Sequence, residues 1–168
     1  MFLPISLLFV GAVLVLNGLW VSGRISDREI VVINFATAAI TATVAAVSLV
    51  RATTGDEVRS VALTLLFSAT YLWVAVNRLN GADGRGLGWF SLFVSLSVLP
   101  QAFLALASAA KFIDIWLGIC SLTWSGLWFM YFATLTLKKP VQDQTAVATL
   151  LSGVLTAWLP ALFLMYGA

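Results

Sequence analysis

The chain has 168 residues, of which 61% are hydrophobic and only 10% are charged. Soluble domains are about 45–50% apolar and about 25% charged, so this composition excludes an ordinary water-soluble fold. Histidine is absent and Cys120 is the only cysteine, which excludes a catalytic histidine, an intramolecular disulfide and a thiolate cluster. A net charge of +2 is too small to indicate the basic surface that binds nucleic acid. We therefore predict an integral membrane protein that is not an enzyme and has no metal or cofactor.

Charged residues divide the chain into six uncharged runs, each long enough to cross a bilayer as a helix. A helix needs roughly 20 residues to span about 30 Å of hydrocarbon, and in lipid it satisfies its own backbone groups. The sequence therefore predicts an all-α integral membrane fold with six transmembrane helices, in one domain over residues 1–168. In chain order, the runs are Met1–Gly23, Ile30–Val50, Ser60–Asn77, Gly86–Ala110, Ile115–Leu137 and Gln144–Ala168.

The loops between these runs are short, and their basic residues predict the orientation in the membrane. Loops one, three and five hold six Lys and Arg residues, whereas loops two and four hold three. Cytoplasmic loops are enriched in Lys and Arg, so we expect the odd loops to be cytoplasmic and both termini to lie outside. The loops are Ser22–Glu29, Arg51–Arg59, Arg78–Arg85, Lys111–Asp114 and Lys138–Asp143.

Neutral polar residues, rather than charged ones, lie within the predicted spans. Because intramembrane ionisable residues usually mark ion or proton pathways, their absence from the six runs argues against a charged cargo. Asn17, Asn34 and Asn77 are all predicted near the cytoplasmic side. These amides could line a mouth that hydrogen-bonds a neutral solute, or they could join helices through membrane hydrogen bonds. The sequence leaves both interpretations open.

Two aromatic pairs have helical spacing deep within the spans. Phe67 and Tyr71 are four residues apart on the third span, as are Trp124 and Trp128 on the fifth. Residues four apart share a helix face, so each pair could wall a slot for a small planar molecule, or could simply pack or anchor the helix. Other tryptophans lie at span ends, where aromatic belts form: Trp20, Trp89 and Trp116.

Two prolines interrupt the predicted spans. Pro100 and Pro160 each remove a backbone donor and are expected to free a carbonyl one turn earlier, near Leu96 and Thr156. A freed carbonyl in lipid must find a new donor or line a wet cavity. Gln101 and Thr156 are available for either task.

Six blocks, taken together and in order, resemble the AmiS/UreI family, the urea and short-chain amide channels of bacterial inner membranes. The likeness extends over nearly all of the six spans. No single block would suffice, but their combination is specific. The blocks are Val15–Gly18, Ile33–Phe35, Leu65–Trp73, Gly88–Val94, Trp124–Trp128 and Leu155–Pro160.

The resemblance implies a homohexameric ring with one pore in each protomer and lipid blocking the centre of the ring. It also implies a multi-pass protein of the bacterial inner membrane that conducts urea or small neutral amides. A cytoplasmic amidase or urease would then maintain the gradient as a metabolic partner. By position, the resemblance places these residues in the pore: Phe67, Tyr71, Trp124, Trp128, Leu3, Leu7, Val10 and Leu14.

Two departures from the family pattern affect the expected gating. The acid-gated urea channels of the family carry a glutamate where this chain has Ser152, and they carry histidines on longer outer loops. We therefore predict a channel that is not acid-gated, and the missing glutamate favours amides over urea. Along the pore, the edges of the solute are expected to meet Asn17, Asn34, Asn77, Ser152 and Thr156. The alternative function is a non-conducting membrane scaffold subunit of a larger complex.

Overall fold

The computed structural model describes residues 2–167, and this part of the chain forms six membrane-length helices without a strand. This confirms the predicted all-α fold with six spans. The first five helices are α1 Leu3–Val21, α2 Ile30–Arg51, α3 Gly55–Asn80, α4 Arg85–Ala107 and α5 Phe112–Leu135. The sixth span, called helix six below, consists of α6 Gln142–Ser152, a π-helical turn Gly153–Trp158 and α7 Leu159–Tyr166.

The six helices form a closed ring in chain order. Each helix packs on the helices that precede and follow it, and α1 closes the ring against helix six. Extensive contacts between described helices occur only between such neighbours, so side chains fill the middle of the ring. We call the end that holds loops two and four the outer end, after the predicted orientation, and the opposite end the inner end.

Large apolar side chains cover the outside of the ring, as expected for a surface in contact with lipid. Val32 is 72% exposed and Val50 is 88% exposed. A soluble monomer rarely exposes contiguous apolar surface on this scale. In a bilayer these side chains contact hydrocarbon, so the free-energy cost of exposing apolar surface to water does not arise.

Glycines bring α1 and helix six into backbone contact. A Cβ atom added to Gly18 would lie 2.7 Å from the backbone nitrogen of Leu150, and one added to Gly153 would lie 2.7 Å from that of Val15. Membrane helices associate mainly by van der Waals packing, and small residues let their backbones approach closely. The interface that closes the ring therefore depends on glycine at these positions.

Two helices at the outer end begin with a carboxylate that caps their backbone. The Glu57 carboxylate accepts N–H bonds from Thr53 (2.7 Å) and Thr54 (3.1 Å). The Asp114 carboxylate accepts the N–H of Lys111 at 2.9 Å. These side chains satisfy donors that a helix N-terminus leaves free. The sequence analysis placed Glu57 and Asp114 in loops, and this was wrong because α3 and α5 begin at Gly55 and Phe112, before these capping carboxylates.

Pro160 is associated with a shift in the hydrogen-bond register of helix six. In the π-helical turn, Leu159 donates its N–H to the carbonyl of Val154, five residues earlier. In the same register, the next carbonyl, that of Leu155, would bond the N–H that Pro160 lacks. The indole Nε1 of Trp116 donates to this carbonyl at 3.1 Å. The freed group is therefore Leu155, one residue before the expected Thr156, and Trp116 has a structural role besides its place at a span end.

Candidate pore

Three cavities follow one another through the ring, from the outer end to the inner end. The outer cavity has a volume of about 510 Å³ and the inner cavity about 320 Å³. Between them lies an internal cavity of about 30 Å³, which is about the volume of one water molecule. The internal and inner cavities share Trp20, Val74, Leu87 and Tyr131 as lining residues. The solvent-accessible space is thus widest at both ends and narrowest near the middle.

An aromatic cluster lies between the outer and internal cavities. Phe67 and Trp124 line the outer cavity, whereas Trp128 and Tyr71 line the internal one. The Phe67 ring stacks on Trp128 with centroids 4.9 Å apart, and it meets Trp124 edge-on at 5.5 Å. The sequence predicted pairs along each helix, but the contacts run across from α3 to α5. Trp124 and Trp128 therefore face the interior of the ring.

The stack of Phe67 on Trp128 is closed in this structure. Carbon atoms in contact are about 3.5–4.0 Å apart, so a planar solute between two parallel rings needs a separation of about 7–8 Å. The observed centroid separation is 4.9 Å. The predicted slot for a planar molecule is therefore not open between these two rings.

Threonine hydroxyls hold both indoles in place. Trp124 donates its Nε1–H to Thr156 at 2.7 Å, and Trp128 donates to Thr70 at 3.2 Å. Thr156 in turn donates to the carbonyl oxygen of Ser152 at 2.6 Å. A buried indole N–H usually finds such a partner, and the bond fixes the orientation of the ring. Both tryptophans are thus anchored, while Phe67 has no polar handle.

Tyr71 lines the internal cavity and carries a buried hydroxyl. Its side chain is only 2% exposed, and its hydroxyl has no hydrogen-bond partner among residues 2–167. Asn17 and Ser91 line the same small space. A buried hydroxyl without a partner is costly, and a solute or water molecule in the cavity would remove that cost.

The three predicted asparagines differ in their surroundings: some join helices, and some line a cavity. Asn17 and Asn34 exchange reciprocal amide bonds of 3.2 and 2.8 Å, and Asn34 also donates to the carbonyl of Ile30. This pair joins α1 to α2, which favours the packing interpretation for the fully buried Asn34. Asn17 also lines the internal cavity, and Asn77 lines the inner cavity.

The remaining predicted residues are distributed along the ring. Leu3 and Leu7 line the outer cavity, and Leu14 lines the internal one. Val10 lies in the buried core between these positions. Ser152 is 4% exposed, and its carbonyl holds Thr156.

Comparisons with known proteins identify the family of the chain. The family model of the AmiS/UreI family transporters matches residues 2–168. The chain belongs to the AmiS/UreI family. It is 38% identical to a candidate amidate substrates transporter protein of Mycolicibacterium smegmatis, covering 97% of this chain and 76% of that protein. It is 30% identical to the acid-activated urea channel of Helicobacter pylori, covering 95% of each. A cryo-electron microscopy structure of that channel in a closed state superposes with a TM-score of 0.87, 31% identity and 97% coverage of both chains.

Two polar contacts at the candidate pore of this AmiS/UreI member escaped the sequence analysis, which named Gln101 only as a partner for the carbonyl freed by Pro100. At the outer cavity, Gln101 accepts a 2.7 Å bond from the Nε–H of Arg59. At the inner cavity, Trp20, Asp27 and Arg78 make contact with one another. Their partners lie far apart in the sequence or on loops, so spacing along one helix gives no signal for them.

Proposed function

We propose that the protein is a passive channel for small neutral amides, either short-chain aliphatic amides or urea, in the bacterial inner membrane. The observation that carries this proposal is the order of spaces in the ring. Two open cavities face opposite ends, and between them lie the aromatic cluster, buried core side chains such as Val10, and a cavity of about 30 Å³. We infer that movement of one ring of the cluster completes this path.

The lining of the narrow segment favours a neutral solute. The residues around the internal cavity are aromatic, aliphatic or neutral and polar, such as Tyr71, Asn17 and Thr70. An ion in this segment would lose its hydration without a charged partner, which costs far more than desolvating an amide. Pore width and a few hydrogen-bonding groups then decide which neutral solutes pass.

We infer that Phe67 is the ring that moves. The indoles of Trp124 and Trp128 are held by hydrogen bonds to threonines, whereas Phe67 is held by ring contacts alone. When Phe67 swings toward the outer cavity, an amide can lay its flat face on Trp128. Its polar edge then reaches the Tyr71 hydroxyl and Asn17 in the internal cavity. Each step exchanges water for a protein partner, and transport follows the concentration gradient.

Neither acid gating nor an energy source is part of this proposal. The chain lacks histidine, and the family resemblance puts Ser152 where the acid-gated members carry a glutamate in the sixth helix. We further propose that each protomer of a homohexamer carries its own pore. A cytoplasmic amidase or urease that consumes the solute would maintain inward flow.

The test is solute-driven swelling of proteoliposomes that contain the purified protein. Urea, formamide and acetamide are compared with guanidinium, a planar cation of nearly the same size as urea that stays charged at every accessible pH. We expect the protein to accelerate entry of the three neutral solutes and to leave guanidinium entry unchanged. Equal rates in liposomes with and without the protein would contradict the proposal and favour the scaffold alternative.

A further inference from the structure

We infer that Trp20 sets the upper size limit for solutes at the inner end of the pore and that Asp27 and Arg78 hold it there. The inference rests on the proposed function and adds a specificity-determining residue to it. Trp20 lies in the last turn of α1 and lines both the internal and the inner cavity. A solute that passes Trp128 must therefore pass the Trp20 indole next.

Three contacts fix the Trp20 ring across two loops. Its Nε1–H donates to the Asp27 carboxylate at 2.7 Å. The other Asp27 oxygen lies 3.6 Å from the Arg78 guanidinium, which in turn lies 5.3 Å from the centroid of the Trp20 ring. The Asp27 carboxylate, the Arg78 guanidinium and the Trp20 ring are thus each in contact with the other two. Arg is well suited to this place because its planar group pairs with a carboxylate and also stacks on a ring.

The loop after α1 is shaped to bring Asp27 back to Trp20. Gly23 has a φ of +78° and donates its N–H to the carbonyl of Trp20 at 2.8 Å. This left-handed turn reverses the direction of the chain, so the carboxylate of Asp27, seven residues after Trp20, reaches the indole. Arg78 arrives from the last turn of α3. Residues from separate elements therefore converge on a single ring at the cavity.

An indole held by a hydrogen bond has less freedom to move than a tryptophan in the aromatic belt at the lipid interface. A tryptophan anchored at the lipid interface is free to rock, and its removal affects insertion in the membrane rather than the width of a pore. Trp20 instead lines the narrowest space together with Tyr131 and Leu87, and it cannot swing out without breaking its bond to Asp27. The hydrogen bond to Asp27 therefore sets the position of the ring, and with it the width of the passage.

The test compares entry of a longer amide, butyramide, with entry of acetamide into proteoliposomes. We expect Trp20→Ala to raise the butyramide-to-acetamide ratio several-fold. Trp89→Ala is the matched control because Trp89 lies at the same end on α4 but is 58% exposed on the outside of the ring. We expect it to keep the wild-type ratio. Trp20→Phe, which retains an aromatic ring but loses the N–H donor, should give a smaller rise.

The role of Asp27 is tested through the same ratio. Asp27→Ala removes the acceptor and should raise the ratio, whereas Asp27→Asn keeps an oxygen that accepts the indole N–H and should stay near wild type. A merely structural defect would lower the entry of both amides in proportion and leave the ratio unchanged. An unchanged ratio in both Trp20 variants would overturn the inference while leaving the proposed channel intact. Failure of the wild-type protein to conduct acetamide would contradict the proposed function itself.

Discussion

At the scale of single residues, Phe67 is the ring that is proposed to move when the channel conducts. It contacts both tryptophans and lines the outer cavity. We predict that Phe67→Ala removes these contacts and raises acetamide entry by about tenfold, equivalent to lowering the barrier by about 1.4 kcal/mol. Phe93→Ala is the control, because Phe93 is 59% exposed. Equal entry for the Phe67 variant and wild type, measured at equal protein content, would show that this stack does not limit permeation.

The amide pair of Asn17 and Asn34 gives a second prediction at the same scale. Asn17→Leu keeps the side-chain size but removes both interhelical bonds, and we expect it to destabilise the protein by about 1–2 kcal/mol. Asn17→Leu combined with Asn34→Leu should recover part of this loss, because no buried amide is then left without its partner. Thermal unfolding of the detergent-solubilised variants measures both effects. Additive losses in the double variant would mean that the two amides do not act as a pair.

At the scale of helices, the closure of the ring depends on glycine contacts between α1 and helix six. In Gly18→Ala the new Cβ atom would lie 2.7 Å from the backbone nitrogen of Leu150, so the two helices must separate. We predict a loss of stability of about 1–3 kcal/mol. Gly126→Ala on α5 is the matched control, since no atom lies within 4 Å of its added Cβ. We expect this control to be neutral or to stabilise by up to about 1 kcal/mol. Unfolding temperatures of the two variants that do not differ would contradict the predicted backbone contact.

Helices were more predictable from this sequence than the details of their ends. The spacing of charged residues predicted six spans because a bilayer excludes charge and every span needs about 20 apolar residues. The same rule misplaced Glu57 and Asp114, since a capping carboxylate belongs to a helix although it is charged. It also gave no sign of the π-helical turn before Pro160, whose freed carbonyl depends on a donor from Trp116 on another helix.

At the scale of the whole molecule, the sequence located the aromatic residues of the candidate pore but not their arrangement. Periodicity places Phe67 and Tyr71 on one face of α3, and Trp124 and Trp128 on one face of α5. Which faces meet depends on the closure of the ring, and this is set by contacts between helices distant in the chain. The cavities have the same origin, because each is lined from several helices at once. The resemblance to a known family assigned these residues to a pore before the structure, but it did not predict which rings are in contact.

The pH response is a property of the whole chain, because any titrating group near either mouth could control entry. Histidine, the side chain that ordinarily titrates between about pH 5 and pH 8, is absent. On loop three, the Asp83 carboxylate accepts the backbone N–H of Arg85 and also its side-chain Nε–H, and these bonds lower the pKa of Asp83. A carboxylate with a lowered pKa contributes stability above its unfolded value of about 3.9 and loses it only as the pH falls through the lower folded value. Asp83 therefore stays ionised throughout this range.

We accordingly predict the same acetamide permeability at about pH 5 and at about pH 7.5, since no histidine changes charge between them. Proteoliposome swelling at the two pH values, with equal buffer inside and outside, measures it. Asn77→Asp provides the positive control, because it places a nearly isosteric, ionisable carboxyl in the lining of the inner cavity. Its permeability should change with pH while that of the wild type stays constant. A steep change in the wild type itself would mean that a carboxylate at one of the mouths gates the pore, and Asp27 and Asp114, which line the inner and outer cavities, would be the first to replace.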